Sequence, residues 1–114
     1  MTLEIEVREE GDVAVAAVRG SLDGLTAEDF EARLGGEIDA GRVRWVLDLA
    51  ALDYVSSAGL RALLGGMKSA RGQGGDLRLA SAAADVERVL DLAGFTSILK
   101  LFPSLDEALG SYAE

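Results

Sequence analysis

The segment Val43-Arg-Trp-Val-Leu-Asp-Leu49 constrains the fold more than any other part of the chain. It is mostly apolar at consecutive positions, so both faces of an extended backbone would need cover. Such a run belongs to a central strand in a sheet covered on both sides, the usual setting of parallel strands joined by helices.

The flanking segments supply the cover. Upstream, Leu3, Ile5 and Val7 alternate with Glu4, Glu6 and Arg8, a period of two that predicts a strand with one wet face. Glu10-Gly11-Asp12 is a turn, and the apolar run Val13 to Val18 predicts a more buried strand. So short a link makes the pair an antiparallel hairpin. Gly20 to Gly24 breaks the strand pattern. A helix is then predicted, with Thr26 as its cap, Asp29 at the capping-box position, and Leu25 with Phe30 spaced as a hydrophobic staple. Ala27, Phe30, Leu34 and Ile38 share one face of it. Gly35-Gly36 predicts a bend or an early end, because an interior glycine costs about 1 kcal/mol relative to alanine.

Downstream of the central strand, Leu60, Leu63, Leu64 and Met67 fall at helical spacing from a start at Ser56-Ser57. Gly72-Gln73-Gly74-Gly75 is a loop leading into a strand over Asp76 to Ala80. Ala83 to Ala93 is a helix with Val86, Val89, Leu90 and Ala93 inward, closed by Gly94 as a left-handed cap. Ile98 to Phe102 makes a last short strand, and Pro103 opens a final helix in which Ser104 and Glu107 form a capping box. The order is β-β-α-β-α-β-α-β-α. It predicts a single α/β domain over residues 1–114, with a mixed sheet: an N-terminal antiparallel hairpin, then parallel strands reached by right-handed crossovers, and helices packed on it.

Composition narrows the function. The net charge is −9, from 20 acids against 11 bases, and the bases are scattered. That disfavours nucleic acid and anionic membrane surfaces, both of which need clustered Lys and Arg. It favours a basic partner surface. With neither Cys nor His, the chain has no disulfide, thiol nucleophile, His-dependent triad or ordinary zinc site, and no cofactor is expected. The start Met1-Thr2-Leu3-Glu4 does not resemble a signal peptide, and no apolar stretch approaches the roughly 18 residues of a membrane span. A cytoplasmic protein is expected.

Chemistry in an open α/β sheet gathers at the loops after the carboxyl ends of the strands. The informative loop follows the central strand and ends in Ser56-Ser57-Ala58-Gly59-Leu60. Either serine serves as an ordinary helix cap. Equally, a helix N-terminus tolerates an anion, so a serine there accepts a phosphate without unfolding its own helix. Ala58 and Gly59 would keep the surface beside the hydroxyl low. Leu22, Leu25, Tyr54 and Leu60 either pack inward or form a partly exposed apolar patch near Ser57, with Leu60 expected to face a partner.

The residues quoted, with Leu52-Asp-Tyr-Val-Ser-Ser-Ala-Gly-Leu60-Arg-Ala-Leu-Leu64, resemble the signature of STAS domains and, within them, the bacterial anti-sigma-factor antagonists. Gly20-Ser-Leu-Asp23 resembles the motif after that family's second strand, and Ala84 to Phe95 its third helix. The resemblance covers nearly all of the chain. It implies a non-enzymatic partner switch in which Ser57 accepts phosphate from an anti-sigma factor, a serine kinase of the histidine-kinase-like ATPase type. A PP2C-type serine phosphatase would remove that phosphate. Unmodified antagonist would bind the kinase, and phosphorylated antagonist would release it. Asp23, Ser56, Ser57, Gly59, Leu60 and Arg61 match positions around the binding surface. Many antagonists carry Asp immediately before the acceptor; Ser56 stands there in this chain, which removes a charge and supplies a second candidate acceptor.

Other functional classes fare differently. A constitutive STAS scaffold, in a lipid-transport ATPase complex or a stress assembly, and a partner switch with a target other than a sigma factor both fit the same residues. A phospho-aspartate receiver does not, because Asp48 lacks the paired acids and the lysine beyond the last strand. A serine hydrolase lacks its Gly-x-Ser-x-Gly elbow and its base. Trp45, in the central strand, is expected in the core.

Overall fold

The computed structural model describes residues 2–113, so Met1 and Glu114, at the ends of the expected domain, lie outside the described residues. Its elements are β1 Leu3–Glu10, β2 Val13–Leu22, α1 Ala27–Asp39, β3 Arg44–Asp48, β4 Leu52–Val55, α2 Ser57–Gly72, β5 Asp76–Ala80, α3 Ala84–Leu92, β6 Leu101–Phe102 and α4 Leu105–Gly110.

The sheet order is β1-β2-β3-β5-β6, which puts β3 in the middle. β1 and β2 are antiparallel, from Leu3 opposite Gly20 to Glu10 opposite Val13. β2–β3, β3–β5 and β5–β6 are parallel. The apolar run of β3 feeds both faces of the sheet. Trp45 and Leu47 enter a core shared with Phe30, Leu34 and Ile38 of α1, Leu63 and Met67 of α2, and Val86 and Leu90 of α3. Val46, pointing the other way, packs with Val13, Ala80 and Ala108, where α4 lies. Trp45 has no exposed surface. The mixed α/β sheet expected from the sequence is therefore the observed fold.

Several local expectations are corrected. The stretch after Ala51 is a strand, β4, paired in parallel with the far end of β2. Gly20 does not end β2: the strand runs on to Leu22 through an irregularity between Gly20 and Ser21. Gly20 takes φ +104, and a side chain there would overlap the Thr2 carbonyl, so only glycine carries the strand past this point. Gly35-Gly36 does not interrupt α1, because Leu34 and Ile38 on either side are buried and tertiary packing outweighs the local propensity. Thr26 is the N-cap residue of α1, as expected, but neither the capping box nor the staple forms: its side chain makes no cap bond, and Leu25 is 81% exposed while Phe30 is buried.

In α3 only Val86 and Leu90 are buried; Val89 and Ala93 face outward, since nine residues present one narrow stripe. Gly94 does adopt the left-handed conformation. The last strand shrinks to Leu101–Phe102 because Phe95–Ser97 forms a 3₁₀ turn and Ile98 is exposed. Ser104 caps α4, accepting from the Glu107 amide at 3.1 Å.

The chain after α4 is latched to the sheet by contacts distant in sequence. The Tyr112 hydroxyl lies 2.8 Å from the Trp45 carbonyl and 2.9 Å from that of Asp76, and accepts from the Trp45 amide at 3.2 Å. The Arg78 guanidinium sits 3.8 Å from the centre of its ring. Burial pushes the Tyr112 phenol up to about 12. Asp76 accepts from Arg71 at 2.7 Å and from Arg78 at 3.0 Å. Burial works against its ionised form, but those guanidinium bonds and the Leu77 amide outweigh burial and hold the carboxyl below its usual value.

Candidate functional site

The two serines lie at the carboxyl edge of the sheet, as a binding loop of this fold class should. The loop, however, follows β4, and β4 reaches it only because β2 extends past β3. Leu22 at the end of β2 is registered with Val55 at the end of β4, and the Ser56 amide donates to the Leu22 carbonyl at 2.9 Å. The Asp23 turn and the start of α2 are thereby held side by side.

The roles of the serines separate at the first turn of α2. Ser56 is the N-cap, with extended backbone and a hydroxyl oxygen that accepts from the Gly59 amide at 3.2 Å. Its carbonyl accepts from the Leu60 amide at 2.8 Å. Ser57 is the first helical residue and is exposed, and no hydrogen bond among the described residues engages its hydroxyl. The amides of Ser57 and Ala58 point out of the open helix end, with the positive end of the helix dipole behind them. The first turn contains no acid. An anion on Ser57 would therefore meet a favourable local field.

Gly59 is buried, contrary to the expectation that it merely keeps the surface low. A Cβ there would overlap the Leu22 carbonyl and lie 2.9 Å from Val55 Cγ2. Its missing side chain lets the helix start touch the ends of β2 and β4. Leu60 is half-buried and packs against the core, so it is not the protruding residue, and Leu22 is fully buried. Leu25, at 81%, and Tyr54, at 50%, are the exposed apolar side chains of this edge. Arg61 is exposed at the start of the second turn of α2.

Asp23 does not primarily face outward. Its Oδ1 accepts from the amides of Leu25 at 2.9 Å and Thr26 at 3.2 Å. Thr26 Oγ1 donates to the Ser21 carbonyl at 2.8 Å and accepts from the Asp23 amide at 3.0 Å. Asp23 is thus the residue whose side chain closes the turn into α1, ahead of the N-cap position that Thr26 holds. The Asp-Gly dipeptide ahead of Leu25-Thr26 is the signal that would have found it. Among the described residues no cluster of acids could hold a metal ion, and no helix is long and apolar enough to cross a membrane.

Residues 4–108 match the model of the STAS domain. The chain belongs to the STAS domain family. This STAS domain is 38% identical over 98 residues to BtrV of Bordetella bronchiseptica, whose name makes it a candidate anti-sigma factor antagonist; the match covers 86% of this chain and 84% of that one. It is 27% identical to an anti-sigma F factor antagonist of Paenibacillus polymyxa, over 96% of this chain and 94% of that one. The crystal structure of an anti-sigma factor antagonist from Mycobacterium paratuberculosis superposes with a TM-score of 0.90 at 25% identity, covering 99% of this chain and 96% of that chain. The relatives are named as regulators of anti-sigma factors, not as enzymes.

Proposed function

We propose that this STAS domain, acting as one unit over residues 1–114 in the cytoplasm, antagonises an anti-sigma factor and is switched by phosphate on Ser57. The single observation that supports Ser57 over Ser56 is the division of labour at the helix start: the Ser56 hydroxyl oxygen holds the Gly59 amide, while the adjacent Ser57 is exposed and its hydroxyl is unengaged among the described residues. The partner would be an anti-sigma factor that is itself a serine kinase of the histidine-kinase-like ATPase type. The Ser57 oxygen would attack the γ-phosphorus of ATP on that kinase, the bond to the β-phosphate would break, and ADP would leave. The hydroxyl proton must go to a base on the kinase, since this chain has no His or Cys and no acid in the first turn of α2.

The phosphoserine adds roughly −1.5 to −2 charges. On the free protein that charge is tolerated by the helix N-terminus. Within a closed interface it must lose its water beside Leu25 and Tyr54, and that penalty drives release. A PP2C-type phosphatase would restore the binding form. Ser56 in place of an acid leaves the acceptor without a neighbouring carboxylate on its N-terminal side.

The test is phosphorylation by the kinase-type anti-sigma factor with ATP, followed by phosphosite mapping and calorimetry. One phosphate on the wild type, none on Ser57→Ala, and weakened kinase binding by Ser57→Asp are expected. Full phosphorylation of Ser57→Ala, or unchanged affinity of Ser57→Asp, refutes the reading.

A further inference from the structure

Leu25 has 81% of its surface exposed, as Leu92 does, but it sits on a turn fixed at both ends. Leu25 is not exposed through slackness of its loop. Asp23 Oδ1 holds the Leu25 amide from one side, and Thr26, bonded to the Ser21 carbonyl, pins the other. The Ala27 amide closes onto the Asp23 carbonyl at 2.9 Å. The turn is then tied to the foot of the Ser57 helix through the bond from the Ser56 amide to the Leu22 carbonyl. A buried threonine and an aspartate thus hold one apolar side chain out of the core, on the turn joined to the start of the Ser57 helix.

We infer that Leu25 is the apolar anchor by which this domain docks its kinase partner, and that Asp23 is the positioning residue that presents it. The inference rests on the Ser57 reading above and adds what the partner must offer: an apolar recess bordered by Lys or Arg side chains. The border follows from charge. Glu28 and Asp29 in the first turn of α1 and Asp53 on β4 are exposed. Arg61, just past the first turn of α2, is an exposed cation. A second copy of this chain is the wrong occupant, because each copy carries −9 and would bring the same acids face to face. An anchor that fills a pocket on a partner dominates the energetics of such an interface while its surroundings exclude water. A phosphate on the neighbouring serine would break that exclusion, which links the anchor to the switch.

Calorimetric titration with the purified kinase-type anti-sigma factor tests it. Leu25→Ala should weaken binding about tenfold to a hundredfold, the loss expected from exposing a buried leucine, and Leu25→Asp should weaken it further. Leu92→Ala is the control: Leu92 is also 81% exposed but sits at the far end of α3, and its loss should leave the affinity unchanged. Asp23→Ala should weaken binding, while Asp23→Asn, which keeps an accepting oxygen for the turn, should restore most of it. Wild-type affinity in Leu25→Ala together with weakened Ser57→Asp overturns the anchor and leaves the switch intact. Weakened Leu25→Ala with unaffected Ser57→Asp does the reverse. Asp23→Asn as weak as Asp23→Ala overturns the positioning role. A wild-type protein that sediments as a dimer at the calorimetric concentration, and as a monomer when Leu25 is Asp, overturns the choice of partner.

Discussion

The same chemical change, glycine to alanine, should have opposite effects at two positions of α2. At Gly59 the new methyl group would overlap the Leu22 carbonyl and press on Val55 Cγ2 at 2.9 Å and Leu22 Cγ at 3.0 Å. The carbonyl is backbone, held by its bond to the Ser56 amide, so it cannot turn aside as a flexible side chain would. Relief requires the helix start to lift. Overpacking of this kind costs about 1–3 kcal/mol, and lifting also stretches the cap between Ser56 Oγ and the Gly59 amide, worth about 1 kcal/mol. The gain in helix propensity is at most about 1 kcal/mol and smaller in a first turn. The expected outcome is a net loss of about 1–3 kcal/mol for Gly59→Ala. At Gly65, further along the same helix, the nearest atom to a new Cβ is Glu31 Oε2 at 3.8 Å. Gly65→Ala should therefore stabilise by about 0.5–1 kcal/mol. Urea denaturation followed by the fluorescence of Trp45, which is fully buried, reads both, with an unchanged m-value as the check on two-state behaviour. Equal stabilisation by the two alanines would refute the close approach of α2 to the ends of β2 and β4, and with it the geometry assigned to Ser57.

The Tyr112 latch should fail in alkali. Its phenol is raised from its ordinary value to about 12, so its contribution is complete below pH 10 and declines as the pH rises toward 12. Thermal unfolding across that window should show the decline in the wild type and a flatter profile in Tyr112→Phe, which at neutral pH should already lose about 1 kcal/mol for the missing hydroxyl; identical profiles would refute the latch. Ser56→Ala should lower stability by about 1 kcal/mol through loss of the cap, yet still be phosphorylated at Ser57 by the kinase, and mass spectrometry showing no phosphate would return the acceptor role to Ser56.

Much of the architecture was legible from periodicity, because a side chain's demand for cover is local. Val43 to Leu49 could only be satisfied by two covered faces, and Trp45 and Val46 do point into separate cores. The cap at Ser104 and a capped helix start at the Ser56-Ser57 pair were equally legible, since a hydroxyl there meets an amide three residues on. The resemblance to STAS domains, carried by Leu52 to Leu64, pointed to the edge on which Ser57 is found.

What the sequence left open depends on neighbours far along the chain. β4 is four residues long and has no strand character without the overhang of β2 to pair with, and that overhang exists only because Gly20 turns where the Thr2 carbonyl comes close. Whether Ser56 or Ser57 is the cap differs by one residue, and the contact of Gly59 with Leu22 decides it. Leu25 is the exception: its spacing from Phe30 promised a staple, but the local Asp23–Thr26 turn, legible in its Asp-Gly dipeptide, holds it outward. Sequence by itself determined the layers, the central strand and the helix that begins at the serines, because burial and capping are short-range requirements. Tertiary structure alone decided which hydroxyl is exposed, because that depends on close approaches between segments more than thirty residues apart.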